Sequence, residues 1–83
     1  MSLNFPNPSR SYDASHHCVT FWGYDNAREI AFTVNHSVIS NLSPSAGSDE
    51  PAVLAAFDQH REQILNLARG LYIGGPQNRY TIS

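Results

Sequence analysis

The residues with the most chemical potential are His16, His17 and Cys18, which are consecutive, with His36 and His60 at wide spacing. Imidazole and thiolate are ligands that zinc prefers, and in an extended strand His16 and Cys18 would point to the same side. Structural zinc sites, however, draw on paired ligands separated by short spacers. With one cysteine and no second pair, the pattern predicts no metal site. A cysteine nucleophile would need a base in reach, an orienting group and an oxyanion site. Cys18 falls in a predicted regular strand, not at the helix start or strained turn where thiolates are activated, and reads as a small half-buried hydrophobe.

Other catalytic classes are excluded more directly. The chain has no lysine, which removes Schiff-base chemistry and the phosphate-loop lysine. No G-x-S-x-G elbow occurs. Gly74-Gly75 follows a helical segment instead of opening one, the wrong order for cradling phosphate. No catalytic residue and no cofactor is therefore expected.

Two binding features stand out. Arg61 lies four residues after Phe57 and three before Ile64, inside an apolar helical stripe where a charge is costly. It is either an anion or carboxylate contact at a helix–sheet junction, or an arginine whose stem packs while its head finds an acid or water. His60, beside it, carries the same two readings. Trp22 and Tyr24 share one face of a strand and form either a partner-binding patch, where aromatics are enriched, or a surface covered by the N-terminal arm.

The elements that would position these residues follow from periodicity. Pro6 and Pro8 keep the first residues extended, Arg10 to Tyr12 fits a short edge strand, and Asp13-Ala14-Ser15 fits a turn. His17 to Tyr24 and Arg28 to Val34 are rich in alternating β-branched and aromatic residues. A two-residue turn at Asp25-Asn26 pairs Phe21 with Ile30 and Val19 with Phe32; moving it to Asn26-Ala27 leaves the faces unchanged. Val19, Phe21 and Gly23 then share a side with Ile30, Phe32 and Val34. The reverse face carries Cys18, Thr20, Trp22 and Tyr24 beside Glu29, Ala31 and Thr33.

Asn35 or Ser37 caps a short helical turn through Val38, Ile39 and Leu42, and Ser43 to Ser48 is a loop. Asp49-Glu50-Pro51 reads as a helix start. Apolar residues at Val53, Leu54, Phe57, Ile64, Leu65, Ala68, Leu71 and Tyr72 then predict one long amphipathic helix from about Pro51 to Tyr72, stopped by Gly74-Gly75-Pro76. A closing strand spans Arg79 to Ser83. The expected fold is a single α+β domain over residues 1–83. It has a small antiparallel meander of three to four strands, a short helical turn, and one long C-terminal helix across the sheet.

A net charge of −2 gives no electrostatic footprint for nucleic acid. No apolar run approaches the ~20 residues of a membrane span, and the first residues lack a basic, then apolar, leader pattern. A cytoplasmic location is the expectation.

The order of Phe5-Pro6, Tyr12, Val19-Thr20-Phe21, Ile30-Ala31-Phe32, Leu42, Ala56-Phe57, Arg61, Ile64, Ala68-Arg69 and Tyr72 resembles the small bacterial proteins catalogued as domain of unknown function 1488. The likeness spans nearly the whole chain, mostly through core positions. Gly74-Gly75-Pro76-Gln77-Asn78 departs from the family pattern. The resemblance implies a compact α+β fold in a bacterial cytoplasm and transfers no activity, cofactor or site residue. The expectation is a non-enzymatic protein-binding or regulatory module, acting through a protein partner or as a homodimer. The alternative is a small ligand-binding protein or hydrolase using Arg61 and His60.

Overall fold

A computed structural model describes residues 3–44, 47 and 49–83. The element order is β1 (Leu3–Asn4), β2 (Arg10–Asp13), β3 (Cys18–Asp25), β4 (Arg28–Asn35), α1 (His36–Leu42), α2 (Glu50–Gln59), α3 (Arg61–Leu71) and β5 (Arg79–Ile82). The expected loop at Ser43–Ser48 lies partly outside the described residues.

The β3–β4 hairpin closes at Asn26-Ala27, with Asp25 opposite Arg28 and Asn26 at a φ of 58°, a conformation asparagine tolerates. Phe21 therefore faces Phe32, and Val19 faces Val34, a shift of two residues from the pairing that Asp25-Asn26 would impose. Because the shift is even, the side-chain faces stay as expected.

The sheet is mixed, not an antiparallel meander. β5 pairs with β4 in parallel, with Phe32 opposite Tyr80 and Val34 opposite Ile82. The chain leaves β4, passes through three helices and returns at the edge, and such a crossover brings the new strand in parallel. At the other edge β1 and β2 both pair antiparallel with β3, but in different registers. Partner numbers sum to 28 for β1 and 31 for β2. Residues 5–9 thus stand opposite only Trp22 and Gly23. This excursion contains Pro6 and Pro8, which lack the N–H a ladder needs, and it turns Phe5 inward against Phe21 and Phe32, at 6.0 and 5.7 Å between ring centroids.

The long helix is also two helices. His60, at φ −107° and ψ 23°, interrupts the run between α2 and α3. The cause is visible in the stripe: six polar residues, Asp58 to Gln63, separate Phe57 from Ile64. No apolar side chain anchors that turn to the core, and Asp58 and Arg61 are instead engaged by the N-terminal segment. Leu71, expected inside, is 41% exposed, because the chain leaves helical geometry at Tyr72 (ψ 124°).

One continuous core results. Val53, Ala56 and Phe57 of α2, Ile64, Leu65 and Ala68 of α3, and Ile39 of α1 close over Val19, Phe21, Ile30, Phe32, Val34, Tyr80 and Ile82. Tyr72 packs edge-on against Tyr80 and donates its hydroxyl to the Asp25 carboxylate, tying the end of α3 to the hairpin.

Gly23 lies under the N-terminal excursion. A Cβ there would approach Phe5 Cε1 to 2.7 Å and Leu3 Cδ1 to 3.1 Å. Gly23→Val is expected to push Phe5 out of its place and destabilise the fold by about 1–3 kcal/mol, measured by urea denaturation.

Candidate functional site

The five arginines divide into four tethers and one open group. Arg61 donates from Nη2 to the Asn7 carbonyl at 3.1 Å, and its guanidinium lies 5.6 Å from the Phe57 ring centroid. Arg10 forms a two-pronged pair with Asp58, at 3.0 Å from Nε and 2.9 Å from Nη2, and this contact raises the arginine's pKa further. Arg69 sits 5.2 Å from the Phe5 centroid. Together these three hold residues 5–10 against the helices. Arg28 donates to the Gly75 and Gln77 carbonyls and so fixes the segment leading into β5. Arg79 alone lies on the sheet's reverse face, exposed and without a side-chain partner among the described residues.

Arg61 and His60 are neighbours in sequence but do not converge. His60 Nδ1 meets Gln63 Oε1 at 2.7 Å, while Arg61 reaches across to the arm through a backbone carbonyl. The geometry gives Arg61 the packing task of a clamp whose stem and ring contact lie on the core margin.

The histidine–cysteine run is not one strand, although His16 and Cys18 both line a concavity on the reverse face. β3 begins at Cys18, not His17, and His17 adopts φ 50° in the preceding turn. His16 therefore does not share a strand face with Cys18; it pairs with Asp13 at 2.8 Å. Among the described residues no group of three or more His, Cys, Asp and Glu is placed to hold a metal ion. Cys18 is buried, and desolvation, then the nearby Asp13 carboxylate, pushes its thiol pKa up. That is the opposite of activation.

The reverse face of the sheet gathers several polar and aromatic side chains that the core does not use. The register places Ser11, Thr20, Thr33 and Thr81 side by side, a row of hydroxyls running across β2, β3, β4 and β5. One residue pair further along β3 and β4, Trp22 faces the small Ala31 and is partly exposed. Beyond it Tyr24 faces Glu29 and donates its hydroxyl to Oε2 at 3.0 Å. At the other end Asp13, His16, Thr33, Arg79 and Thr81 line a polar concavity of about 340 Å³. Alternation along β3 and β4 already places Thr20, Thr33, Trp22 and Tyr24 on this face, but not Ser11, Arg79 or Thr81. The row depends on a register between β4 and β5 that only the tertiary fold supplies.

Asp13 organises the rim of this concavity. Its carboxylate accepts from Ser15 Oγ at 2.7 Å and from the Ser15 and His16 amides, and meets His16 Nδ1. The Ser15 hydroxyl bond, then the His16 contact, lower its pKa from 3.8 to about 2. A depressed folded pKa means that the stabilisation is fully present above about 3.8 and is lost as pH falls through about 2. An NMR titration of the Asp13 carboxyl carbon is expected to show a midpoint of about 2, and Ser15→Ala to move it up toward the ordinary value.

No curated protein matches this sequence significantly. The fold is similar to the crystal structure of a protein of unknown function from the DUF1488 family of Shewanella loihica PV-4. The TM-score is 0.81 at 17% identity, covering 98% of this chain and 91% of that one, a likeness that shows the fold alone. The sequence also matches the family described as protein of unknown function (DUF1488) over residues 3–83. Matched across nearly its whole length, the chain belongs to that family.

Proposed function

We propose that this protein is a non-enzymatic binding module of the bacterial cytoplasm, which engages a protein partner through the reverse face of its sheet. One observation carries this reading. All three described helices contribute to the core on one side of the sheet, while the other side presents Trp22, Tyr24, Arg79 and the hydroxyl row partly or fully exposed. Tryptophan, tyrosine and arginine are the side chains that most often anchor protein interfaces. The hydroxyls can satisfy a partner's polar groups. The inactive character of Cys18 and the commitment of four arginines to tethering support a binding role over catalysis.

The second reading, a small ligand-binding protein or hydrolase built on Arg61 and His60, has less behind it. Its one supporting feature is Arg61 Nη1, buried and without a hydrogen-bond partner among the described residues. The neighbouring Nη2 is already spent on Asn7, and His60 faces Gln63.

Capture from a bacterial lysate, with the wild-type chain and with Trp22→Ala and Tyr24→Ala as baits, tests the proposal. A partner held by the wild type is expected to bind the Trp22→Ala variant roughly 30-fold more weakly, the loss typical of an interface hot spot, with the circular dichroism unchanged. Equal capture by all three baits, or capture by none, counts against it.

A further inference from the structure

A second surface lies at the edge of the sheet, where α3 overhangs the free side of β5. β5 is the last strand of the sheet order and pairs only with β4. Its parallel register with β4, and the Ala31 amide donating to the Asn78 carbonyl at 2.9 Å, fix which backbone groups point inward. In a parallel ladder a residue bonds to the two residues flanking its partner, so Ala31 and Thr33 engage residues 78, 80 and 82. The backbone groups of Arg79 and Thr81 therefore point outward. The Arg79 carbonyl is occupied by the Gln77 side chain at 2.6 Å, which leaves the Thr81 N–H and C=O at the centre of an open edge.

Natural sheets protect such edges with lysine, proline or a covering element. β5 is short and carries one charge, Arg79, on the reverse face, but it has neither lysine nor proline, and between its edge and α3 lies an apolar groove of about 410 Å³. Leu67, Gly70 and Leu71 of α3 form one wall, and Thr81 and Ile82 form the other. Leu67 and Leu71 are 44% and 41% exposed, and Ile73, just beyond, is 72% exposed. No other large hydrophobic side chain among the described residues is this exposed. A Cβ at Gly70 would meet nothing within 4 Å, so the helix surface there is open to close approach.

We infer that this edge is a homodimer interface, and that its occupant is a second copy of the same chain. A two-fold axis through Thr81 makes the two β5 strands antiparallel neighbours. The Thr81 N–H of each copy donates to the Thr81 carbonyl of the other, the close pair of an antiparallel ladder. The same rotation sets α3 against α3, so the leucines of each copy fill the groove of the other across the gap at Gly70. A two-fold interface must be complementary to itself. This one meets that condition, because none of the side chains lining the groove, the polar Asn66 and Ser83 included, carries a charge that its own copy would repel. A foreign strand would find only four residues of edge, whereas a second copy supplies both a strand and a helix ridge. The leucine ridge of this dimer lies on the helix side of the sheet; Thr81 is shared with the reverse face, its backbone at the edge and its hydroxyl in the row.

Analytical ultracentrifugation of the full chain over micromolar to millimolar concentration tests the inference, with hydrogen exchange of the Thr81 amide as a second readout. A mass rising to twice 9.2 kDa is expected, with the Thr81 amide protected at high concentration and unprotected on dilution. Leu67→Glu with Leu71→Glu should weaken dimerisation on the order of a hundredfold, without loss of fold, since both side chains are already exposed. Thr81→Pro, which removes an outward N–H, should act in the same direction. A monomer at every concentration overturns the inference, as does a dimer indifferent to both sets of substitutions. A dimer dissolved instead by Trp22→Ala also overturns it, and would place self-association on the reverse face.

Discussion

Three aromatic rings in a row across the sheet set the terms for everything else. Phe21 on β3, Phe32 on β4 and Tyr80 on β5 are directly opposed in register, and both adjacent pairs stack at 5.5 Å and 18°. Phe57 from α2 closes on Phe21 at 5.3 Å, and Phe5 covers Phe21 and Phe32 from the N-terminal excursion. Cross-strand aromatic pairs add to the burial that already favours this arrangement. A one-residue slip in any of the three strands would take its ring out of the core and put a polar neighbour in its place. The row thus fixes pairing, register and inside against outside together.

Separation of the faces follows from that constraint. With the aromatic and aliphatic side chains drawn to one side, α1, α2 and α3 all close there, and the opposite side keeps the residues of the other parity. The hydroxyl row, Trp22 and Arg79 are thereby aligned by the same register that buries the rings. The arginines take a supporting part. Arg10, Arg61 and Arg69 hold the N-terminal excursion over the rings, and Arg28 steers the last strand to the edge where Tyr80 completes the row. In a chain without lysine, this leaves Arg79 as the one arginine among the described residues that faces outward from the reverse side of the sheet.

Much of this was legible in the sequence, though unevenly. Alternation over residues 17–34 gives both hairpin faces regardless of the turn, because moving the turn by one position changes the pairing by an even number. The break at His60 also had a signal, the absence of any apolar residue between Phe57 and Ile64. A stripe counted only by its matches hides that gap. The direction of β5 was open to argument as well, since helices between sequential strands call for a crossover and hence a parallel return. Other features had no local signal. Arg61 stands out by its position in the stripe, but its partner is a backbone carbonyl 54 residues away in sequence. The excursion that places Phe5 beside Gly23 depends on two unequal registers along one edge.

The fold is one-sided, with its helices closed over one face of the sheet and the other face uncovered. Trp22, the only tryptophan in the chain, sits on that face and reports on it directly. Acrylamide quenching of native Trp22 fluorescence at low protein concentration is the most direct measurement. Red-shifted emission with a Stern–Volmer slope well above that of a buried indole is the predicted result. Blue-shifted emission that resists quenching until the chain is unfolded would contradict it, because the face would then be covered.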